Sequence, residues 1–327
     1  AYNSEYQTFR QKTFGLEEPF RNVMMQSVSK NPVFCRMMGV RYIVSDSDVT
    51  GYALVKKCEK TGIYQNNDVA PVMYATDRVM TEKEYNKLAF PYNQTAFLEY
   101  AVVGEHTESS DQNIMTAYAP VSLKMANNRT TGGAEQKTMQ QEWQKQILFL
   151  RFRVDNAHPN KDVAVWINGI RNKLSAKDHV YYNENKTFIY AVPLKDGEDT
   201  ISVTFGKGKY QLSHVQAYLG SLPERSKTLY QSEVQVDKKL TKDNVIQGTI
   251  QVKNDGWFIT SIPYDTHFKM YIDGKETKIQ KVNTAFLGCE IGSGKHEVRI
   301  VYHAPGATEG KVFSMIGIVG FVLLLVL

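Results

Sequence analysis

Ile147 to Gly169 reads ILFLRFRVDNAHPNKDVAVWING, and its two apolar runs decide the fold. The first, Ile147 to Val154, is apolar at its start and alternates towards its end, as a strand with one buried face does. The second, Asp162 to Ile167, closes on Asn168-Gly169, a pair that tolerates the positive φ of a two-residue hairpin turn. Similar runs follow at Phe188–Val192, Thr200–Phe205 and His214–Leu219, with the short, regular spacing of a sandwich. Residues 109–225 are therefore expected to form a β-sandwich.

The same texture continues to the C-terminal side. Strands are expected at Val245–Val252, Trp257–Ile262, Phe268–Ile272 and His296–Tyr302, separated by Asn254-Asp255-Gly256, Asp273-Gly274 and Gly292-Ser293-Gly294. Each separator supplies a glycine for a tight turn. Residues 226–308 thus read as a second sandwich-like, jelly-roll-type domain, in which the charged stretch Ser226–Asp243 is either an edge strand or a short helix. Towards the N-terminus the pattern is mixed. Glu17-Glu18-Pro19 leads a helical stretch through Phe20–Met25, and Val40–Ser45, Tyr52–Val55, Gly62–Gln65 and Pro71–Ala75 read as strands. Thr81 caps a helix expected over Glu82–Leu88, with acidic residues in its first turn. Residues 1–108 are read as an α+β subdomain, and the polar stretch Gly104–Asn113 marks its boundary.

At 327 residues the chain is long enough for two or three cores. A net charge of +5, with 39 basic residues interleaved among 34 acidic ones, leaves no footprint for nucleic acid. The exception to this soluble composition is the uncharged tail Val312–Leu327 (VFSMIGIVGFVLLLVL). Its helical length of about 24 Å falls short of the roughly 30 Å of a bilayer core. The tail, assigned to 309–327, reads as the start of a transmembrane helix cut by the end of the chain; the alternative is a buried C-terminal helix or strand. The opening AYNSEY has no basic or apolar leader segment, which suggests an internal fragment.

No GxSxG, HExxH, GxxxxGK[ST] or GxGxxG occurs, so common hydrolase, metalloprotease and nucleotide signatures are missing. The seven histidines have no metal-ligand spacing, and neither a metal, a cofactor nor a catalytic pair is assigned. Gly206-Lys207-Gly208-Lys209 lacks a following helix and reads as a solvated hairpin tip rather than a phosphate loop. Cys35, Cys58 and Cys289 allow at most one bridge and read as small buried hydrophobes. Trp166 and Trp257 are the candidates for stacking on a sugar ring, against the simpler reading that both face a core.

Ser261 to Gly320 contains SIPYD, MYIDGK and KVNTAFLGCEIGSGKHEVRIVYHAPGATEGKVFSMIGI, and this arrangement resembles the C-terminal end of the YfhO family of bacterial membrane proteins. The matching positions are Pro263-Tyr264-Asp265, Asp273-Gly274, Asn283 with Phe286, Gly294-Lys295-His296, Tyr302 and Pro305-Gly306. Upstream, Met37–Val44 and Ile63–Asn66 with Pro71 and Tyr74 are similar to the family's early strands. Where the family usually has Gly-Trp after the PYD strand, this chain has His267-Phe268, which leaves any contact of that Trp open. Read from the residues alone, these motifs are structural: Asp273-Gly274 is a turn, and the alternative of Asp273 as a catalytic acid is the weaker one.

The resemblance implies an extracytoplasmic domain of a bacterial cell-membrane protein similar to GT-C-type glycosyltransferases. Such proteins move a polyprenyl-phosphate sugar to cell-envelope polymers such as lipoteichoic acid, and their catalytic carboxylate would lie outside this chain. The implied partners are the membrane, the remaining transmembrane region of the same protein, and a cell-envelope glycan or polyprenyl-phosphate sugar. The chain itself is expected to be non-catalytic and to guide the acceptor, or alternatively to be a membrane-anchored carbohydrate-binding or structural module.

Overall fold

The computed structural model describes residues 3–15, 25–104, 115–125, 132–138, 146–197, 199–224, 229–230 and 232–326. It is mostly β, built from several antiparallel sheets. The helix expected across Phe20–Met25 falls largely within 16–24, outside the described residues. So do most of the boundary at Gly104–Asn113 and the start of Ser226–Asp243.

The decisive stretch forms the centre of the first sandwich. Strand Ile147–Asn156 lies between Thr187–Pro193 and Tyr210–Gly220, with Ala119–Pro120 at the far edge. The facing sheet runs Ile170–Leu174, Val163–Ile167, Thr200–Phe205, Gly133–Thr138. Leu148, Leu150, Phe152 and Val154 point between the sheets and meet Val163, Val165, Ile167, Ile201 and Val203. Arg151, Arg153 and Asp155 point outward, which is the period-two signature. Alternation fails at the start because Ile147 and Phe149 are also buried, on the opposite face, where a second core covers them. Asn168 (φ +46) and Gly169 (φ +76) make the expected left-handed turn from Val163–Ile167 into Ile170–Leu174. The stretch Gly206–Lys209 carries the chain from Thr200–Phe205 in one sheet to Tyr210–Gly220 in the other, so it is a crossover between sheets rather than a hairpin tip.

In the second sandwich one sheet runs Ser232–Glu233, Met73–Thr76, Gly256–Pro263, Phe286–Ile291, Gln280–Val282. Its partner runs Gln235–Val236, Val245–Val252, Gly294–Tyr302, Phe268–Ile272, Lys275–Thr277. The described part of Ser226–Asp243, left open between strand and helix, contains two short edge strands, one in each sheet, with Val234 as the crossing point. Strand Met73–Thr76, from the first hundred residues, pairs with Gly256–Pro263 in the register Ala75 to Phe258. Gly256 permits this approach, because a Cβ there would lie 2.3 Å from the Thr76 carbonyl oxygen. Met73, Ala75, Phe258, Met270, Leu287 and Cys289 fill the interior.

A third core joins the two sandwiches. Phe9, Phe14 and Phe34 from the N-terminal helices pack with Phe97, with Phe149 of the first sandwich, and with Trp257 and Phe286 of the second. Phe286 meets Phe9 edge-on at 5.1 Å. The helix at Glu82–Tyr85 is shorter than expected but starts as expected, with Thr81 and Glu84 in a reciprocal capping box. A separate sheet, ordered Tyr42–Ser45, Thr61–Gln65, Ala53–Cys58, stands beside these layers.

The C-terminal helix spans Ala307–Val326, and its apolar side chains from Val312 to Leu325 are exposed. Among the described residues no helix is long and apolar enough to cross a membrane. Glu309 and Lys311 confine the uncharged part to the run that begins at Val312.

All three cysteines are free, and Cys58 is exposed on an edge strand, which corrects the expectation that all three are buried. Burial pushes the Cys35 thiol up to about 11 and the Cys289 thiol up to about 12. Only Cys58 is therefore expected to react with Ellman's reagent in the folded chain at pH 8, the other two following on denaturation. Fast reaction of more than one thiol in the folded state would contradict this placement.

Candidate binding cleft

A cleft of two joined lobes, 600 and 1170 Å³, opens where helix Pro32–Met37 and the 46–52 loop face the first sandwich. Pro32, Val49, Thr50, Tyr52, Pro193 and Lys195 line both lobes. Ile43, Ile170 and Val192 stand in the wall of the smaller lobe and Asn66, Gln146 and Arg36 in that of the larger, and both lobes are lined by more apolar than polar surface.

Local chemistry fixes this geometry. Asn31 caps the helix by accepting from the Val33 and Phe34 N–H groups at 2.9 and 3.2 Å, and Pro32 occupies its first turn. That orientation buries Arg36, whose Nη1 donates to the Pro223 carbonyl at 2.6 Å. Arg36 Nη2 lies 3.0 Å from Asp68 Oδ1, yet neither atom has an aligned hydrogen bond, so this contact is an ion pair held by charge and distance. The Tyr52 hydroxyl donates to the Val40 carbonyl at 3.0 Å. Burial, followed by the neighbouring Cys35 thiol, holds Tyr52 well above the usual phenol range. Tyr52 and Cys35 are thus neutral hydrogen-bonding groups at pH 7. Among the described residues no group of three His, Cys, Asp or Glu could hold a metal ion.

The residues singled out in the sequence lie elsewhere. Trp257 is 3% exposed within the core between the sandwiches, so its ring presents no face to a sugar. Trp166 is half-buried, with the Arg171 guanidinium 5.7 Å from its ring centre. Of the family-motif positions, Pro263 pairs with Phe286, and the Tyr264 N–H and carbonyl bond to Ala285 and Asn3. Asp265 Oδ1 accepts from the His267 N–H at 2.8 Å, and this backbone bond is the main cause that holds its carboxyl below the usual range.

Asp273 and Gly274 form a turn with φ +51 and +77. Asp273 Oδ2 lies 2.8 Å from His296 Nδ1 and its Oδ1 accepts from the Glu297 N–H, contacts that lower its pKa, with His296 the larger cause. His296 Nε2 faces the Gly292 carbonyl at 3.0 Å, so both ring nitrogens are engaged and the pair braces the hairpin ends. Asn283 is buried against Val102. Tyr302 packs on Phe268 at 4.8 Å, so the ring standing in place of the family's Trp is a packing contact. Lys295 is exposed, Gly294 opens strand Gly294–Tyr302, and Pro305-Gly306 precedes the C-terminal helix. None of these positions lines the cleft. The cleft residues come from short segments scattered between residues 30 and 224, and of them only Ile43 and Asn66 fall in stretches similar to the family.

A family model described as bacterial membrane protein YfhO matches residues 2–314. A curated relative, "Uncharacterized protein YfhO" of Bacillus subtilis (strain 168), is 20% identical over 283 residues, covering 82% of this chain and 32% of the relative. The chain therefore spans about a third of the length of the relative it matches. A solved structure of a cycloisomaltooligosaccharide glucanotransferase from Paenibacillus sp., complexed with cycloisomaltoheptaose, is 10% identical, with 66% of this chain and 49% of that chain covered. Its TM-score is 0.18, too low for any conclusion about fold or function.

Proposed function

This chain belongs to the YfhO family of bacterial membrane proteins, and from that premise we propose that it is the extracytoplasmic part of a larger membrane-embedded glycosyltransferase. The resemblance is to GT-C-type enzymes that take sugar from a polyprenyl-phosphate donor. In this reading the chain carries no catalytic carboxylate of its own. It receives a cell-envelope polymer, such as lipoteichoic acid, in the cleft around Tyr52 and guides it to the catalytic centre in the membrane region of the same protein. The C-terminal helix is then the first part of a membrane helix, and the sandwiches are jelly-roll-type supports that hold the cleft above the bilayer.

The observation that carries this reading is the helix itself. From Val312 to Leu325 it is apolar on all sides and its large apolar side chains are exposed among the described residues, with Phe313 73% and Leu324 76% exposed. A helix apolar all round requires a protein core or lipid around it. A second reading, a carbohydrate-binding module, is favoured by one observation only: the half-buried Trp166 ring on the outer face of the first sandwich.

The test is sugar transfer from a polyprenyl-phosphate donor to the polymer by the full-length protein in membranes. The isolated chain is expected to transfer nothing. In the full-length protein, Thr50→Trp, which fills the waist shared by the two lobes, is expected to raise KM for the acceptor by roughly ten-fold or more with the donor KM unchanged. Transfer by the isolated chain would overturn the proposal. A loss of acceptor affinity on Trp166→Ala but not on Thr50→Trp would favour the binding-module reading instead.

A further inference from the structure

A second cavity, 620 Å³, lies at the end of the first sandwich, away from the cleft. Its charged lining is Arg153, Lys177, Lys186 and Lys209 against a single carboxylate, Asp155. That carboxylate is already engaged: Oδ1 accepts from Arg153 Nε at 2.9 Å and Oδ2 from the Ser213 hydroxyl at 3.0 Å. Burial would raise its pKa, but these hydrogen bonds outweigh it and keep the carboxyl below its usual range. Among the described residues the three lysines form no ion pair.

Their positions are set by the backbone. The Val154 N–H donates to the Lys186 carbonyl at 2.8 Å, the Ala157 N–H to the Lys209 carbonyl at 3.0 Å, and the Lys177 N–H to the Pro159 carbonyl at 2.7 Å. One stretch of six residues, 154–159, thus ties three lysines from three separate segments around one cavity. Loops gathered at one end of a rigid sandwich are a common place for recognition. Half-buried Tyr182 and polar Asn156, Ser175 and Gln211 complete the lining.

We infer that this cavity is a binding site for the phosphate groups of an anionic ligand. Three compact ammonium charges around a space of this size suit a multiply charged oxyanion such as a phosphate, which lysine binds as a point charge. Arg153 has its Nε committed to Asp155, which leaves its two Nη groups beside the lysines as recognising groups. The inference is independent of the acceptor reading and would stand if the Tyr52 cleft bound nothing.

The test is calorimetric titration of the whole chain, in non-ionic detergent at low salt, with inorganic pyrophosphate and with long-chain inorganic polyphosphate. Saturable binding is expected, weakened about ten-fold or more by the double variant Lys177→Glu/Lys209→Glu. Lys238→Glu/Lys239→Glu, which changes net charge equally in the second sandwich, should leave it unchanged. Markedly tighter binding of polyphosphate than of pyrophosphate would identify a phosphate-bearing chain as the ligand, and equal binding a small free anion; both support the site. No saturable binding of either probe, or equal loss in both double variants, would overturn it. Circular dichroism of each variant checks that a loss of binding is not a loss of fold.

Discussion

Phe286→Ala is expected to destabilise the chain by about 3–5 kcal/mol, the usual cost of emptying a buried aromatic site. The side chain is 1% exposed and meets Phe9 at 5.1 Å and Tyr6 at 6.0 Å, so it ties the first helix to the second sandwich. The loss is therefore expected in both units together: the urea midpoints of a probe in the N-terminal helices and of Trp257 fluorescence should fall in parallel. A loss under about 1 kcal/mol, or midpoints that separate, would show that the helices and the sandwich do not share a core.

Asn283→Ala is expected to cost about 2–5 kcal/mol, from two sources that can be separated. Asn283 Oδ1 accepts from the Val102 N–H at 2.8 Å, and the Asn283 N–H donates to the Val102 carbonyl at 2.7 Å. One side chain thus closes a bridge between strand Ala101–Val103 and the edge of the second sandwich. Removing the amide leaves a buried N–H without its acceptor, which costs about 1–3 kcal/mol. Asn283 also has φ +45, where a non-glycine residue without a polar side chain costs roughly 1–2 kcal/mol. Asn283→Gly should restore the backbone part only, and should fall between wild type and Asn283→Ala in thermal or urea denaturation. Equal losses for the two variants would show that backbone strain contributes nothing.

The strands legible in the sequence were those with one buried face or with glycine turns. Thr200–Phe205, Val245–Val252 and Phe268–Ile272 occur with the bounds read from the residues. Asn168-Gly169 turns where positive φ was expected. Two further strands are obscured in the sequence: Gly133–Thr138 is mostly polar and lies at a sheet edge, and Ile170–Leu174, though it follows a glycine turn, puts the polar Asn172 at its middle inward position. The placement of Met73–Thr76 in the second sandwich was illegible for a different reason. All four of its residues are buried, so the strand shows no alternation, and its partner Gly256–Pro263 is far away in the chain.

The cleft was illegible as well. A buried Arg36 against Asp68 and the Pro223 carbonyl is a product of tertiary approach, and nothing local in the sequence marks it. Conversely, Asp273, Asn283, Gly294 and His296 stand out in the sequence because turns and latches demand particular residues, and the structure finds them bracing the second sandwich. The C-terminal family motifs are thus separate from the cleft, whereas two residues of the upstream family-like stretches, Ile43 and Asn66, stand in its wall.

An extracytoplasmic position is the claim on which the proposed function rests, and the exposed Cys58 thiol offers a direct probe of it. In intact cells producing the full-length protein, a membrane-impermeant maleimide is expected to label this thiol, and Cys58→Ser should remove that label. Labelling of Cys58 only after the membrane has been permeabilised would place the chain on the cytoplasmic side and contradict the account.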